Sequence, residues 1–126
     1  MLRYFNLWLG FGWLLVVLVC YLSLTSNPPN LNVKFQYMDK VGHFFSYFIL
    51  MGWFAQLYKT FNARLFYVLF FIFMGMLLEV LQGLGGVRYF EYSDMVANTL
   101  GVVVAWAISK RYLNNLFLFF EKIITR

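Results

Sequence analysis

Residues 65–84 read LFYVLFFIFMGMLLEVLQGL, a run in which Glu79 is the single charged side chain. A helix rises about 1.5 Å per residue, so about 20 residues cross the ~30 Å hydrocarbon core of a bilayer. The run therefore predicts a transmembrane helix. Its charged and amide residues, Glu79 and Gln82, lie near the carboxyl-terminal end, so the run also predicts a polar layer close to one membrane face.

Three further apolar runs flank this one, at residues 6–24, 41–58 and 94–110. Hydrophobic residues make up 63% of the 126-residue chain and charged residues 12%, against about 25% charged in an ordinary soluble domain. So small a soluble domain could not cover that much apolar surface. The sequence predicts one all-α domain over residues 1–126, a membrane bundle of four transmembrane helices. The tail at 112–125 is too short to span, and it predicts an amphipathic helix at the interface.

The basic residues predict the orientation, because short cytoplasmic loops carry more Lys and Arg. Of the ten basic residues, seven fall on the side that holds both termini and three on the other, which places both termini in the cytoplasm of a cell-membrane protein. They occur singly or in pairs rather than on one solvated face, so we expect no nucleic-acid partner. The seven are Arg3, Lys59, Arg64, Lys110, Arg111, Lys122 and Arg126; the three are Lys34, Lys40 and Arg88.

Polar residues from distant segments converge on the predicted extracytoplasmic ends of helices two, three and four. Residues four apart share a helix face, which pairs Asp39 with His43 and Asp94 with Asn98. The second pair continues through Gly101, a small residue that lets a neighbouring helix approach closely. We therefore predict one shared site. Its candidate catalytic residues are His43, Glu79 and Asp94, and its candidate ligand-binding residues are Asp39, Lys40, Gln82, Arg88 and Asn98.

The chemistry of this set favours acid–base work on an anionic ligand. An imidazole beside carboxylates can act as an acid or a base. Lys40 and Arg88, beside the amino-terminal ends of two helices, suit a phosphate or carboxylate. His43, Glu79 and Asp94 are also a one-histidine, two-carboxylate set, but no local ligand motif accompanies them, so we predict no metal and no cofactor.

Three segments together resemble the VanZ-like family of small membrane proteins. They are residues 39–50 (DKVGHFFSYFIL), residues 79–82 (EVLQ), and Arg88 followed by residues 93–101 (SDMVANTLG). The motif-bearing core is therefore about 39–101. The resemblance implies a polytopic membrane protein with a role at the cell envelope. Because the family is named for a protein associated with teicoplanin resistance, a glycopeptide-related ligand is implied by the resemblance alone.

Three functions remain open from the sequence. The first is a site that binds or modifies an anionic envelope molecule, such as a lipid-linked precursor or a phospholipid. The second is a structural or accessory membrane protein whose polar residues only fix helix packing. The third is a transporter subunit, which the lack of charges in the inner halves of the helices disfavours. The sequence leaves open whether any reaction is catalysed, and it leaves the oligomeric state open.

Overall fold

The chain folds as a helical bundle. The computed structural model describes residues 2–25, 36–85, 91–112 and 115–126, with the backbone alone for residues 36–39. Within these ranges the chain forms five helices and no strand, which confirms the all-helical fold predicted from the sequence. The helices are α1 (Phe5–Leu24), α2 (Gln36–Leu57), α3 (Phe61–Leu84), α4 (Tyr92–Arg111) and α5 (Leu116–Ile124).

Two of the described helices, α1 and α3, are long and apolar enough to cross a membrane by length and composition. Helices α2 and α4 have 22 and 20 residues and reach the same length, but they carry polar groups such as Lys40 and Asp94 near their ends. The arrangement of four spans stays a prediction. Helix α2 begins at Gln36, before the apolar run, because hydropathy marks the apolar stretch rather than the hydrogen-bonded helix end.

Helix α2 is the centre of the bundle. It packs most extensively against α4 and also contacts α1 and α3. Small residues of α4, Gly101 and Ala105, are buried on the face that α4 shares with Asp94 and Asn98. The largest buried side chains come from α2 and α3, and Tyr47, Phe54 and Phe71 are at most 2% exposed.

The outer surfaces of α1 and α3 are apolar. Leu14 of α1 is 63% exposed, and Phe66 and Phe73 of α3 are 61% and 65% exposed. Water-exposed apolar surface of this extent is unusual for a soluble monomer. These faces are suited to contact with lipid.

Helix α5 closes the bundle against the amino-terminal end of α1. The ring of Phe117 stacks on Trp8 with centroids 4.2 Å apart, and it meets the edge of Trp53 at 4.8 Å. Glu121 accepts hydrogen bonds from the backbone N–H groups of Arg3 and Tyr4, each at 2.9 Å, and from the indole of Trp8. The predicted amphipathic tail is therefore a helix with one face packed on the bundle.

Candidate functional site

His43 lies near the amino-terminal end of α2 and faces α4. Its Nδ1 is 3.1 Å from Oδ1 of Asn98, a buried side chain of α4. The amide oxygen only accepts, so Nδ1 carries the proton in this contact. The ring is fixed in orientation, and its other nitrogen, Nε2, is directed toward a carboxylate.

That carboxylate is Asp94, in the first turn of α4. Its side chain is 6% exposed, and Oδ2 lies 3.6 Å from His43 Nε2. The other oxygen, Oδ1, is 2.7 Å from Nζ of Lys40 but makes no aligned hydrogen bond, so the two groups form an ion pair by distance alone. The first turn of a helix favours a negative charge, which is one reason that Asp94 is tolerated there while buried.

Lys40 bridges two carboxylates. Besides Asp94, its ammonium pairs with Glu91, the residue that precedes α4. The side chains of Lys40 and Glu91 are 26% and 46% exposed, so this pair is open to water. The hydrogen bond from Lys40, together with its charge, lowers the pKa of Glu91 below its ordinary value. Glu91 is therefore ionised at neutral pH.

Glu79 joins the cluster from α3. It is 1% exposed, and its Oε1 accepts the backbone N–H of Glu91 at 3.0 Å. It also interacts electrostatically with Asp94 and His43. Glu79 thus fastens the start of α4 to the end of α3 and adds a third carboxylate to the group around Lys40 and His43.

Gln82 is buried one turn further along α3 and is directed away from this group. Its Nε2 donates to the carbonyl oxygen of Ser23 at 2.6 Å, which ties α3 to the end of α1. Gly75, one turn before Glu79, makes room for Asn98. A Cβ atom at Gly75 would lie 3.2 Å from Nδ2 of Asn98 and 3.3 Å from the ring of Tyr47.

The structure therefore brings four of the eight candidate residues, His43, Asp94, Asn98 and Lys40, into direct contact. Glu79 reaches the group through Glu91, and Gln82 bonds elsewhere. Arg88 and the side chain of Asp39 lie outside the described residues.

Glu91 is not among the site residues predicted from the sequence. Its contacts with Lys40 and Glu79 depend on how the segment before α4 returns to α3. The spacing of residues along one helix cannot predict a contact between two separate segments. The available signal was its position three residues before Asp94.

Within residues 2–25, 36–85, 91–112 and 115–126, no group of three His, Cys, Asp or Glu side chains is placed to hold a metal ion. What the arrangement can do is hold an oriented imidazole beside a buried carboxylate, next to an ammonium that faces water. That combination suits proton transfer on a polar group bound at Lys40.

Comparison with known proteins identifies the family. A family model described as VanZ/LLP1 matches residues 4–119, which covers nearly the whole chain, and the resemblance expected from three short segments is confirmed. Comparisons with curated proteins and with solved structures found no match. The family match also includes α1 and part of α5, which the three segments do not reach. The chain therefore belongs to the VanZ/LLP1 family.

Proposed function

We propose that this protein spans the cell membrane with four helices, both termini in the cytoplasm, and binds or modifies the head group of an anionic envelope molecule. The proposed site is the cluster around His43, at the extracytoplasmic end of the bundle. The ligand class is a lipid-linked precursor, a phospholipid or a glycopeptide-related molecule.

Helix length and charge support the membrane arrangement. Helices α1 to α4 have 20 to 24 residues, or about 30–36 Å at 1.5 Å per residue, which matches the bilayer core. The seven-to-three distribution of Lys and Arg favours cytoplasmic termini. Lys40, His43 and Asp94 then lie at the extracytoplasmic end, because they occupy the amino-terminal ends of α2 and α4.

The single observation that carries the functional proposal is the clamping of His43 between Asn98 and Asp94. The amide oxygen of Asn98 accepts from Nδ1 and fixes the ring. Oδ2 of Asp94 lies 3.6 Å from the other ring nitrogen, Nε2. An imidazole whose Nε2 faces a carboxylate 3.6 Å away can exchange a proton with a ligand oxygen that binds beside that nitrogen.

Anion binding at this cluster would use Lys40. Its pair with Glu91 is partly exposed, and water screens exposed ion pairs and makes them weak, so a phosphate can replace the Glu91 carboxylate. Asp94 stays beneath the ammonium and holds it in place. Arg88, in the segment between α3 and α4, is the second cation that we propose for the same head group.

A structural role is the second candidate, and a specific observation favours it. The buried polar side chains of the layer bond within the protein: Gln82 to Ser23, and Glu79 to the backbone of Glu91. Such bonds fix helix packing without any ligand. The two functions predict different effects of removing these charges. A binding site loses its response to the ligand, whereas a structural layer loses thermal stability.

The test uses Glu79→Gln and Arg88→Ala, with Arg111→Ala at the opposite end of α4 as a matched control. Thermal unfolding is followed in detergent, with and without a polyprenyl phosphate or phosphatidylglycerol. The proposal expects the ligand to raise the Tm of the wild type and of Arg111→Ala, and the increase to disappear in the two site variants. Equal increases in all four proteins would refute the site, and a lower Tm in the absence of ligand would favour the structural role.

A further inference from the structure

A cavity lies at the other end of the bundle, and the cluster around His43 does not explain it. Helix α2 has 22 residues, so its two ends are about 33 Å apart, and this cavity adjoins the carboxyl-terminal end. It encloses about 620 Å³, within the roughly 300–1,000 Å³ of small-molecule sites. Its walls come from the end of α2, the start of α3, the end of α4 and the start of α5.

The lining of this cavity is basic. Lys59, Arg64 and Lys110 contribute three cations, Gln56 and Asn115 contribute amides, and the other lining residues are apolar. Among the described residues that line it there is no carboxylate. Glu121, the acid of the neighbouring helix α5, is already bonded to the backbone of Arg3 and Tyr4. The described lining is therefore net positive, with Lys59 and Lys110 as its exposed cations.

Arg64 holds one of these charges in a fixed position. Its side chain is 5% exposed, with Nη2 donating to the carbonyl oxygen of Ala55 at 2.7 Å and Nε donating to that of Tyr58 at 2.9 Å. These bonds satisfy carbonyl groups at the end of α2, where the helix dipole is negative. The guanidinium is thus anchored in the cavity wall before any ligand arrives.

The two lysines sit at the more exposed part of the cavity. Lys110 lies over the ring of Trp106, with Nζ 4.1 Å from its centroid. Burial, and then the charge of Arg64, lower the pKa of Lys59, so the positive charges of Lys59 and Arg64 repel one another. An anion between them would relieve this repulsion. Helix α3 begins at Phe61, between Lys59 and Arg64, and its positive amino-terminal end offsets the negative carboxyl-terminal ends of α2 and α4 beside the same cavity.

We propose that this cavity binds a phosphate-bearing anion, the head group of an anionic membrane lipid or a soluble phosphate ester, between Lys59, Lys110 and the anchored Arg64. The positive charge of the cavity does not depend on the function of the His43 cluster. The placement of the cavity at the cytoplasmic face rests on the proposed topology, and anionic lipids of the cytoplasmic leaflet attract basic groups there.

The test removes the two lysines and leaves the buried arginine, so that the helix ends stay capped. Lys59→Gln/Lys110→Gln is compared with the wild type and with Arg111→Gln/Lys122→Gln, which loses the same charge from residues outside the lining. Native mass spectrometry counts phosphatidylglycerol retained from mixed micelles that also contain phosphatidylcholine. A parallel arm adds glycerol phosphate or inorganic phosphate and measures the change in Tm.

We expect wild type and control to retain phosphatidylglycerol with at least about tenfold greater affinity than the lysine variant, since each of the two lysines near a membrane surface contributes about fivefold. A response to soluble phosphate alone would identify the free ester as the source. Equal retention in all three proteins, with no phosphate response, would overturn the proposal.

A charge-retaining variant covers the case in which the lysine variant folds poorly. Lys59→Arg/Lys110→Arg should bind as the wild type does, and loss of binding in this variant while it unfolds at the wild-type Tm would also overturn the proposal. Arg88→Ala distinguishes between the two proposed sites, which lie at opposite ends of the bundle. It should leave retention at this cavity unchanged even if the His43 cluster binds nothing.

Discussion

Gly101 of α4 lies directly against the backbone of Phe44 in α2. A Cβ atom at position 101 would be 2.3 Å from the Phe44 carbonyl oxygen and 3.0 Å from the backbone nitrogen of Phe48. No side chain fits in that space. Because Phe44 follows His43, and Gly101 is one turn beyond Asn98, this contact sets the register that brings Asn98 to the histidine.

Gly101→Ala should therefore destabilise the bundle. The methyl group meets backbone atoms that cannot move aside, and overpacking of this kind costs about 1–3 kcal/mol. We expect a lower Tm in detergent.

Gly10→Ala in α1 is the matched control for this substitution. A Cβ atom at Gly10 has no neighbour within 4 Å, so alanine there should leave the Tm unchanged or raise it. Equal Tm values for the two variants would show that α2 and α4 are not in close contact at Gly101.

The contact between His43 and Asn98 predicts an energetic coupling. In a double-mutant cycle of His43→Ala and Asn98→Ala, we expect about 0.5–1.5 kcal/mol of interaction, the usual range for one hydrogen bond. Urea or thermal unfolding in detergent measures it. His43→Ala combined with Ser109→Ala is the control, since Ser109 is three turns further along α4, and its effect should be additive. Additivity in both cycles would be incompatible with the observed contact.

Glu121 predicts an acid-sensitive contribution to stability. Burial raises its pKa, but the hydrogen bonds from Tyr4, Arg3 and Trp8 outweigh burial and lower the pKa below its ordinary value of 4.5. A carboxylate whose pKa is lower in the folded state stabilises the fold above the ordinary value and loses that effect as the pH falls through the folded value. The Tm difference between wild type and Glu121→Gln should be constant between about pH 7 and 5 and shrink at lower pH.

Lys122→Gln is the control for this titration, since Lys122 is the exposed neighbour of Glu121. It should follow the wild type at every pH. A Tm difference for Glu121→Gln that grows on acidification would contradict the hydrogen-bonded arrangement between α5 and the start of α1.

The proposed topology predicts which residues react from outside the cell. In a Cys20→Ser background, Ser93→Cys should react with a membrane-impermeant maleimide on intact spheroplasts, because Ser93 is exposed at the amino-terminal end of α4, which the proposed topology places outside. Arg111→Cys, exposed at the other end of the same helix, should react only after permeabilisation. The opposite labelling pattern would invert the topology and move the His43 cluster to the cytoplasmic side.

Much of the fold follows from the sequence because apolar length and helical spacing are local properties. The stretch at 65–84 predicts most of α3, which extends from Phe61 to Leu84. The spacing of Asp94, Asn98 and Gly101 predicts one face, and the structure turns that face to α2. Family membership also followed from short segments around Asp39, Glu79 and Ser93, and the family match bears it out.

The remaining features depend on contacts between distant parts of the chain, which local spacing cannot predict. Glu121 bonds to Arg3 across nearly the whole sequence, and Gln82 bonds to Ser23 although its spacing from Glu79 suggested the site. Arg64 was counted only as a basic residue for orientation, yet it is buried and binds the end of α2. Each of these contacts depends on which helix ends lie next to one another in the fold.

The measurement that tests the central claim most directly is mass spectrometry of the lipids and glycans that co-purify with the protein from its own membranes. Wild type is compared with the Glu79→Gln/Arg88→Ala double variant, with Arg111→Ala as control. The account predicts an anionic lipid or lipid-linked glycan that is enriched over the bulk membrane in wild type and control and lost from the double variant. The same enrichment in all three proteins, with the double variant folded, would contradict a binding site around His43.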